Sequence, residues 1–220
     1  GNVGLAVGPE VTYVRVKITA DAENWQGAGG ATIGEELILA KDLMKEVLRH
    51  HAEIIEEFPG SELVGKAYEP LFPEAVPRGD STTAWTVLEA DWVTTTDGTG
   101  VVHTAVMYGE DDYNLGMAAG LPAHHTVEMN GSFVEGTHPQ LDGRYVKECD
   151  QIIIELLSGP GGSNGKGPQS GLLYREKQYA HDYPHCWRTD HPLLYYAMDS
   201  WFVRMTAVKD RLIEFNSQTE

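Results

Sequence analysis

The stretch Gly98–Gly116, GTGVVHTAVMYGEDDYNLG, changes character at Gly109. Before that glycine, Gly100–Ala105 is rich in β-branched residues, as a strand would be. After it come Glu110, Asp111 and Asp112, and carboxylates in a helix's first turn favour the positive end of its dipole. The stretch therefore reads as strand, tight glycine turn and short helix. On the strand, Val101 and His103 share one face, and Val102 and Thr104 the other. His103 and Asp112 then flank the turn, where an imidazole and a carboxylate can reach the rim of one pocket. From spacing alone, a packed strand histidine and a solvated helix start are the commoner explanation.

The neighbouring segments extend this pattern. AWTVLEADWVTTTDGTGVVHTAVMY places two β-like runs around Asp97-Gly98. An Asp-Gly pair tolerates the positive φ of a tight turn, so a hairpin is expected with Gly100–Ala105 returning. Val11–Ile18 alternates as a strand does, EELILA reads as another strand, and AEIIEEF as a third, closed by Pro59-Gly60. KDLMKEVLRHH puts Leu43, Val47 and Leu48 at helical spacing. LPAHHTVEMNGSFVEG reads as strand, Asn130-Gly131 turn and strand, and YVKECDQIIIELLS as an amphipathic helix. A last helix is expected near Ala207–Phe215. Loops are expected at DAENWQGAGGAT, at the proline-rich YEPLFPEAVPRGDS and at the low-complexity GPGGSNGKGPQSG. No internal repeat is present. Short scattered strands outnumber helices, which argues for an α+β fold with a mostly antiparallel or mixed sheet, either open or closed into a barrel.

Composition limits the function classes. The chain has 220 residues, 41% of them hydrophobic, enough for one sizeable domain with a packed core. No apolar run reaches the roughly 18 residues of a membrane span. No signal peptide is visible, and the opening GNVGLAVGPEV is expected to be a cut inside a longer chain. Cys149 and Cys186 read as free thiols suited to a reducing, cytoplasmic setting. The net charge of −17 disfavours a freestanding nucleic-acid binder, because phosphate neutralisation supplies most of such a protein's affinity. If the chain handles nucleic acid, it touches only a short end.

The common catalytic and metal motifs are missing. His50-His51 and His124-His125 are adjacent pairs, and neighbours on a strand point to opposite faces. Cys186 in CWRT stands alone where a C-x-x-C would be needed. No G-x-S-x-G elbow is present, and DGTG has neither the order nor the second copy of an aspartic protease.

The Gly98–Gly116 stretch resembles the editing-site segment of isoleucyl-tRNA synthetases, usually GTGxVHxAPxxGxDDY. Further ordered resemblances are GNVGLAV, VTYVRV, ELILA, EFPGSELVGKAYEPLFP, LPAHHTVEMNGSFVEG, GLLYRE and YPHCWRTDHPLLYYAMDSWFVR. The resemblance implies the editing (CP1) domain fold, a closed, distorted β-barrel flanked by helices and hairpins and inserted into a Rossmann-type catalytic domain. Residues 1–180 would be the editing domain, with a Gly-rich loop at 158–171. Residues 181–220 would be the strap and helix returning to the catalytic domain. The implied activity is hydrolysis of the ester in valyl-tRNA(Ile), with valyl-adenylate as a second substrate. Ile and Val differ by one methylene, worth about 1–3 kcal/mol in an apolar pocket, a magnitude taken from this family's own discrimination. A second pocket must therefore accept Val and exclude Ile by size.

The resemblance also assigns roles. Asp112 would hold the substrate α-ammonium and orient the ester for a water. His103 would form the pocket wall that rejects Ile, with Thr104, Tyr108 and Gly109 as neighbours. The implied partners are the CCA end of tRNA(Ile) carrying valine, and the rest of the synthetase in cis. No membrane partner is implied, and a monomer is expected. No cofactor is expected in this domain, whereas the full enzyme would use ATP, Mg and Zn. The different-class alternative is a non-catalytic aminoacyl or adenylate binding module.

Three departures stand out. Val106 replaces the usual Pro, which would make the strand exit less rigid. The family's Thr-rich segment, which lines the same pocket, should lie just before Gly1, so weak or no hydrolysis is expected from this chain alone. STTAWT at Ser81–Thr86 is a poor substitute, since it falls at an ordinary loop and strand. Thr189 stands where many relatives have a second Cys, so no structural zinc is expected at Cys186.

Overall fold

A computed structural model describes residues 1–21, 30–72, 75, 83–158, 171–178 and 180–218. Most of the Gly-rich loop expected at 158–171 lies outside them, as do residues 22–29 of the first Gly-rich loop, Ser81 and Thr82.

The fold is α+β, built on two three-stranded sheets. In the first, β1 (Gly4–Val7) lies between β5 (Thr86–Glu89), parallel to it, and β6 (Val101–Thr104), antiparallel. In the second, β2 (Thr12–Ala20) lies between β3 (Glu36–Ala40) and β4 (His51–Pro59), all antiparallel. Among the described residues no closed barrel forms, which corrects the barrel expected from the resemblance. The six described strands fall into two separate three-stranded sheets with no ladder joining them, so the circuit of strand pairing that closure needs is not completed.

The sheets meet across a core of Val7, Tyr13, Ala40, Leu43, Phe58, Leu63 and Val87. Tyr13 is fully buried and ties the two sides together. Its hydroxyl accepts the Gly8 N–H at 3.1 Å and donates to the Gly100 carbonyl. Beside it the Ala40 N–H donates to the Thr99 carbonyl at 2.8 Å. Gly100 sits at φ +76°, and a Cβ there would fall 2.5 Å from that of Ala40, so two constraints require glycine.

The expected hairpin around Asp97-Gly98 is not formed. β5 and β6 flank β1 instead of pairing with each other. Gly98 still turns, at φ +74°, but the segment it belongs to carries the chain past β1. The helix expected over KDLMKEVLRHH is also cut short. A 3₁₀ turn at Lys41–Leu43 runs into one α-turn, α1 (Met44–Val47), and Leu48 is already extended. β4 must start at His51 to pair with β2, and that pairing overrides local helix propensity. The strands expected around Asn130-Gly131 reduce to isolated bridges, Val127 to Phe133 and Ser132 to Tyr145.

The other helices lie close to expectation: α2 (Glu110–Ala119), α3 (Asp150–Leu157) and α4 (Met205–Ser217). Gly120, left-handed at φ 67°, ends α2. Along β6 the alternation of faces holds, but burial does not follow it. Thr104 is fully buried, whereas Val102 and His103 are exposed. Among the described residues the C-terminal arm is the least packed part. Trp187, Trp201 and Phe202 are exposed, and α4 buries no residue. Among the described residues no helix is long and apolar enough to cross a membrane.

Candidate functional site

β6, the Ala105–Gly109 turn and the start of α2 carry the residues singled out by sequence. Val106 anchors the turn. It is almost fully buried with Val3 and Leu121, and a Cβ on Gly116 would fall 2.4 Å from its Cγ2. The side chain that replaces the usual Pro is thus clamped between Val3 and α2, so the strand exit is held by packing. Gly109 caps the N-terminus of α2, and its carbonyl accepts the Tyr113 N–H at 2.9 Å.

Asp112 sits in the first turn of α2 and folds back over the loop. Its Oδ1 accepts the Ala105 N–H at 3.3 Å. Burial pushes the Asp112 carboxyl above the ordinary carboxylate range; the Ala105 N–H and the His103 charge oppose this, and Asp111 adds to it. His103 therefore lies within electrostatic reach of Asp112.

A cavity of about 390 Å3 opens beside this turn, within the roughly 300–1,000 Å3 range of small-molecule sites. His103, Ala105 and Tyr108 line one part of it, and Gly1 and Asn2 another. Thr126, Val127 and Phe133 supply a second wall. Asp112, Gly109 and Thr104 are not among its lining residues. Asp112 reaches the rim through Ala105; Gly109 lies directly behind Asp112; Thr104 turns into the interior. The Thr104 hydroxyl oxygen is buried with no hydrogen-bond partner among the described residues.

Sequence reasoning missed most of the remaining wall. Tyr183, Leu194 and Tyr195, all on the expected return strap, line the cavity. The Tyr183 hydroxyl donates to the Leu193 carbonyl at 2.7 Å, and the Lys147 ammonium lies 4.0 Å from the centre of its ring. Aromatic density in YPHCWRTDHPLLYYA was the available signal, but it points equally to packing.

Cys186 stands apart from this cavity. Its N–H donates to the His191 carbonyl, and its carbonyl accepts the Asp190 N–H, both at 2.8 Å, with Asp190 left-handed at φ 56°. Hydrogen bonds from the Thr189 side chain and then from the Arg188 and Thr189 backbone lower the Cys186 thiol from its ordinary value. Among the described residues no group of three or more His, Cys, Asp or Glu side chains gathers to hold a metal ion.

No family model matches the chain. Curated relatives do. The isoleucine–tRNA ligase of Clostridium novyi is 43% identical over 217 residues, which is 99% of this chain and 18% of that protein. That of Bacillus thuringiensis is 39% identical over 215 residues, 98% of this chain and 18% of the relative. That of Corynebacterium efficiens is 39% identical over 222 residues, 100% of this chain and 19% of the relative. The chain thus spans under a fifth of the length of these relatives. Among solved structures it is similar to one described as "The crystal structure of GlLeuRS-CP1", with a TM-score of 0.49 and 17% identity, over 71% of this chain and 74% of that one. Along almost its whole length the chain is similar in sequence to one segment of isoleucine–tRNA ligases.

Proposed function

We propose that this chain is the editing domain of an isoleucine–tRNA ligase, an aminoacyl-tRNA ester hydrolase. It removes valine from mischarged valyl-tRNA(Ile), and from valyl-adenylate, while excluding isoleucyl products by size. The observation that carries this reading is the Asp112 carboxylate, bonded to the Ala105 N–H at the rim of a largely apolar cavity that His103 lines. A carboxylate at that rim suits the α-ammonium of an aminoacyl ester, and an apolar cavity suits its side chain. Anchoring both ends of the amino acid fixes the ester carbonyl relative to an attacking water. The water oxygen bonds to the carbonyl carbon and the bond to the terminal ribose oxygen breaks. That oxygen takes up a proton, releasing valine and deacylated tRNA.

In this reading His103 is a wall, with Tyr108 beside it. Thr104 acts only through the backbone of β6, and Gly109 by leaving room for Asp112. The 220-residue chain by itself hydrolyses weakly or not at all. Gly1 and Asn2 form part of the cavity wall, so hydroxyls on a segment joined to Gly1 would stand at the same opening. The net charge of −17 fits a domain that receives only the CCA end, the tRNA body being gripped elsewhere in the synthetase. Residues 1–180 would form the editing body and 181–220 the return strap, which also contributes to the cavity.

The decisive experiment is deacylation of valyl-tRNA(Ile) beside isoleucyl-tRNA(Ile), with this chain and with one extended upstream. The extended chain is expected to hydrolyse the valyl ester faster than this one and to spare the isoleucyl ester. Equal rates for the two chains would remove the need for the upstream segment, and hydrolysis of both esters would remove the sieve. The second reading, a non-catalytic aminoacyl or adenylate binding module with Asp112 still anchoring the ammonium group, is favoured by the largely apolar lining of the cavity, which suits holding a side chain more than activating a water. Binding of a valyl-adenylate analogue without hydrolysis, both in the extended chain and in the whole synthetase, would establish it instead.

A further inference from the structure

The Thr126–Val127 wall of the cavity is held between two phenols from distant parts of the chain. Tyr108 takes both of its amides: its hydroxyl accepts the Thr126 N–H at 2.7 Å and the Val127 N–H at 2.9 Å. The Val127 carbonyl accepts the hydroxyl of Tyr196, on the strap, at 3.1 Å. The Tyr196 ring lies flat on His125, with centroids 4.0 Å apart and planes 7° from parallel, and meets Tyr108 edge-on at 6.1 Å. The next residue, Ala197, donates its N–H to the Met107 carbonyl at 2.9 Å, within the turn between His103 and Asp112. Burial pushes the Tyr196 phenol up, with Tyr108 and Glu128 adding to it, so at neutral pH the hydroxyl keeps its proton and donates.

We propose that Tyr196 is a positioning residue for the acyl pocket: it fixes Val127, and with it the width against which the substrate side chain is measured. This rests on the editing reading above. One methylene gives only about 10- to 200-fold discrimination in an apolar pocket, so a wall free to shift by a fraction of that group's size erodes the sieve. Among the described residues Val127 lies in no named strand: an isolated bridge joins it to Phe133, flanked by the Val134 N–H to the Thr126 carbonyl at 2.9 Å and the Glu128 N–H to the Ser132 carbonyl at 2.8 Å. The amide and carbonyl of Val127 itself are fixed by the Tyr108 and Tyr196 hydroxyls. Tyr195 and Leu194 line the same cavity, so the strap both closes the pocket and pins its far wall.

The test uses the full-length synthetase that carries this segment. Tyr196→Phe keeps the ring on His125 and removes only the hydroxyl; Tyr196→Leu removes both. For Tyr196→Phe, KM for valyl-tRNA(Ile) is expected to rise more than kcat falls, and the valyl-to-isoleucyl ratio of kcat/KM to drop about fivefold. Tyr196→Leu is expected to lower the ratio further. An unchanged ratio in both variants overturns the proposal. So does a fall that appears only together with a lowered melting temperature, because Tyr196 would then be merely structural. If the unsubstituted enzyme hydrolyses neither ester, the editing reading fails and takes this proposal with it. If it discriminates and the variants discriminate as well, this proposal fails alone.

Discussion

A side chain on Gly109 would collide with the Asp112 carboxylate: a Cβ built there falls 2.2 Å from Oδ2. The constraint is steric only, since Gly109 is extended at φ −161°, a conformation open to any residue. Gly109→Ala is therefore expected to push Asp112 off the Ala105 N–H while leaving α2 in place. Hydrolysis of valyl-tRNA(Ile) by an active, upstream-extended chain should fall about 10- to 100-fold, the scale on which a misplaced binding group acts. Stability should change by about 1 kcal/mol or less, as for an exchange at a helix N-cap. Single-turnover deacylation and a thermal melt measure the two effects, and an unchanged rate would separate the Asp112 position from catalysis.

Asp112 itself should show function and stability pulling in opposite directions. Burial raises its carboxyl in the folded state. For a group raised in this way, the stability it contributes is fully present below the ordinary carboxylate value of about 4 and is lost as pH rises through the raised value. Asp112→Asn keeps an oxygen for the Ala105 N–H but cannot ionise. The variant is expected to be more stable than the parent chain at neutral pH, with the difference vanishing toward acid. Urea unfolding at several pH values checks this. Its hydrolysis should fall about 10- to 100-fold, matching the roughly 1.5–3 kcal/mol of a charged hydrogen bond. If Asp112→Asn lowers stability at pH 7, the carboxylate is not the burden described here.

His103 is exposed on the strand and lines the cavity, so shortening it should cost little in folding. His103→Ala is expected to change stability by about 0.5 kcal/mol or less. It should raise isoleucyl-tRNA(Ile) hydrolysis relative to valyl by about tenfold, the discrimination one methylene can carry. Competing deacylation of the two esters gives the ratio directly. A ratio equal to that of the parent would mean that the size limit lies elsewhere, with Val127 the next wall to test.

The parts legible in the sequence were those set by local chemistry. The acids after Gly109 marked the start of α2, and alternation marked β2. His103 and Asp112 could be placed at one turn because strand, turn and helix are consecutive there, whereas their roles came from the resemblance alone. The Asp97-Gly98 hairpin was misread because its turn chemistry is local, whereas the pairing is decided by β1, some ninety residues earlier in the chain, slotting between β5 and β6. The helix over KDLMKEVLRHH was lost for the same reason: β4 needed the residues. Tyr196 reaches Val127 across a separation of 69 residues, and Tyr183, Leu194 and Tyr195 come from the same distant strap. No periodicity within the strap points to a cavity built by another segment.

The bond between the two sheets should be measurable through one oxygen atom. Tyr13 is fully buried on β2, and its hydroxyl serves the Gly8 N–H on one side and the Gly100 carbonyl on the other. Tyr13→Phe keeps the ring in the core and removes only that oxygen, leaving a buried donor and a buried acceptor unmet. The expected loss is about 1–3 kcal/mol per stranded group, reduced where the backbone relaxes toward water. Because Gly100 leads directly into β6, the loss should be accompanied by faster amide exchange at Val101 and Val102. The same phenol sets an alkaline limit. Burial raises it above its ordinary value of 10.0, so its contribution is present below that value and lost as pH rises through the raised one. Tyr13→Phe should therefore unfold at lower urea at neutral pH and lose less stability than the parent between neutral and strongly alkaline pH. Parallel loss in both proteins would show that the Tyr13 hydroxyl does not join the sheets.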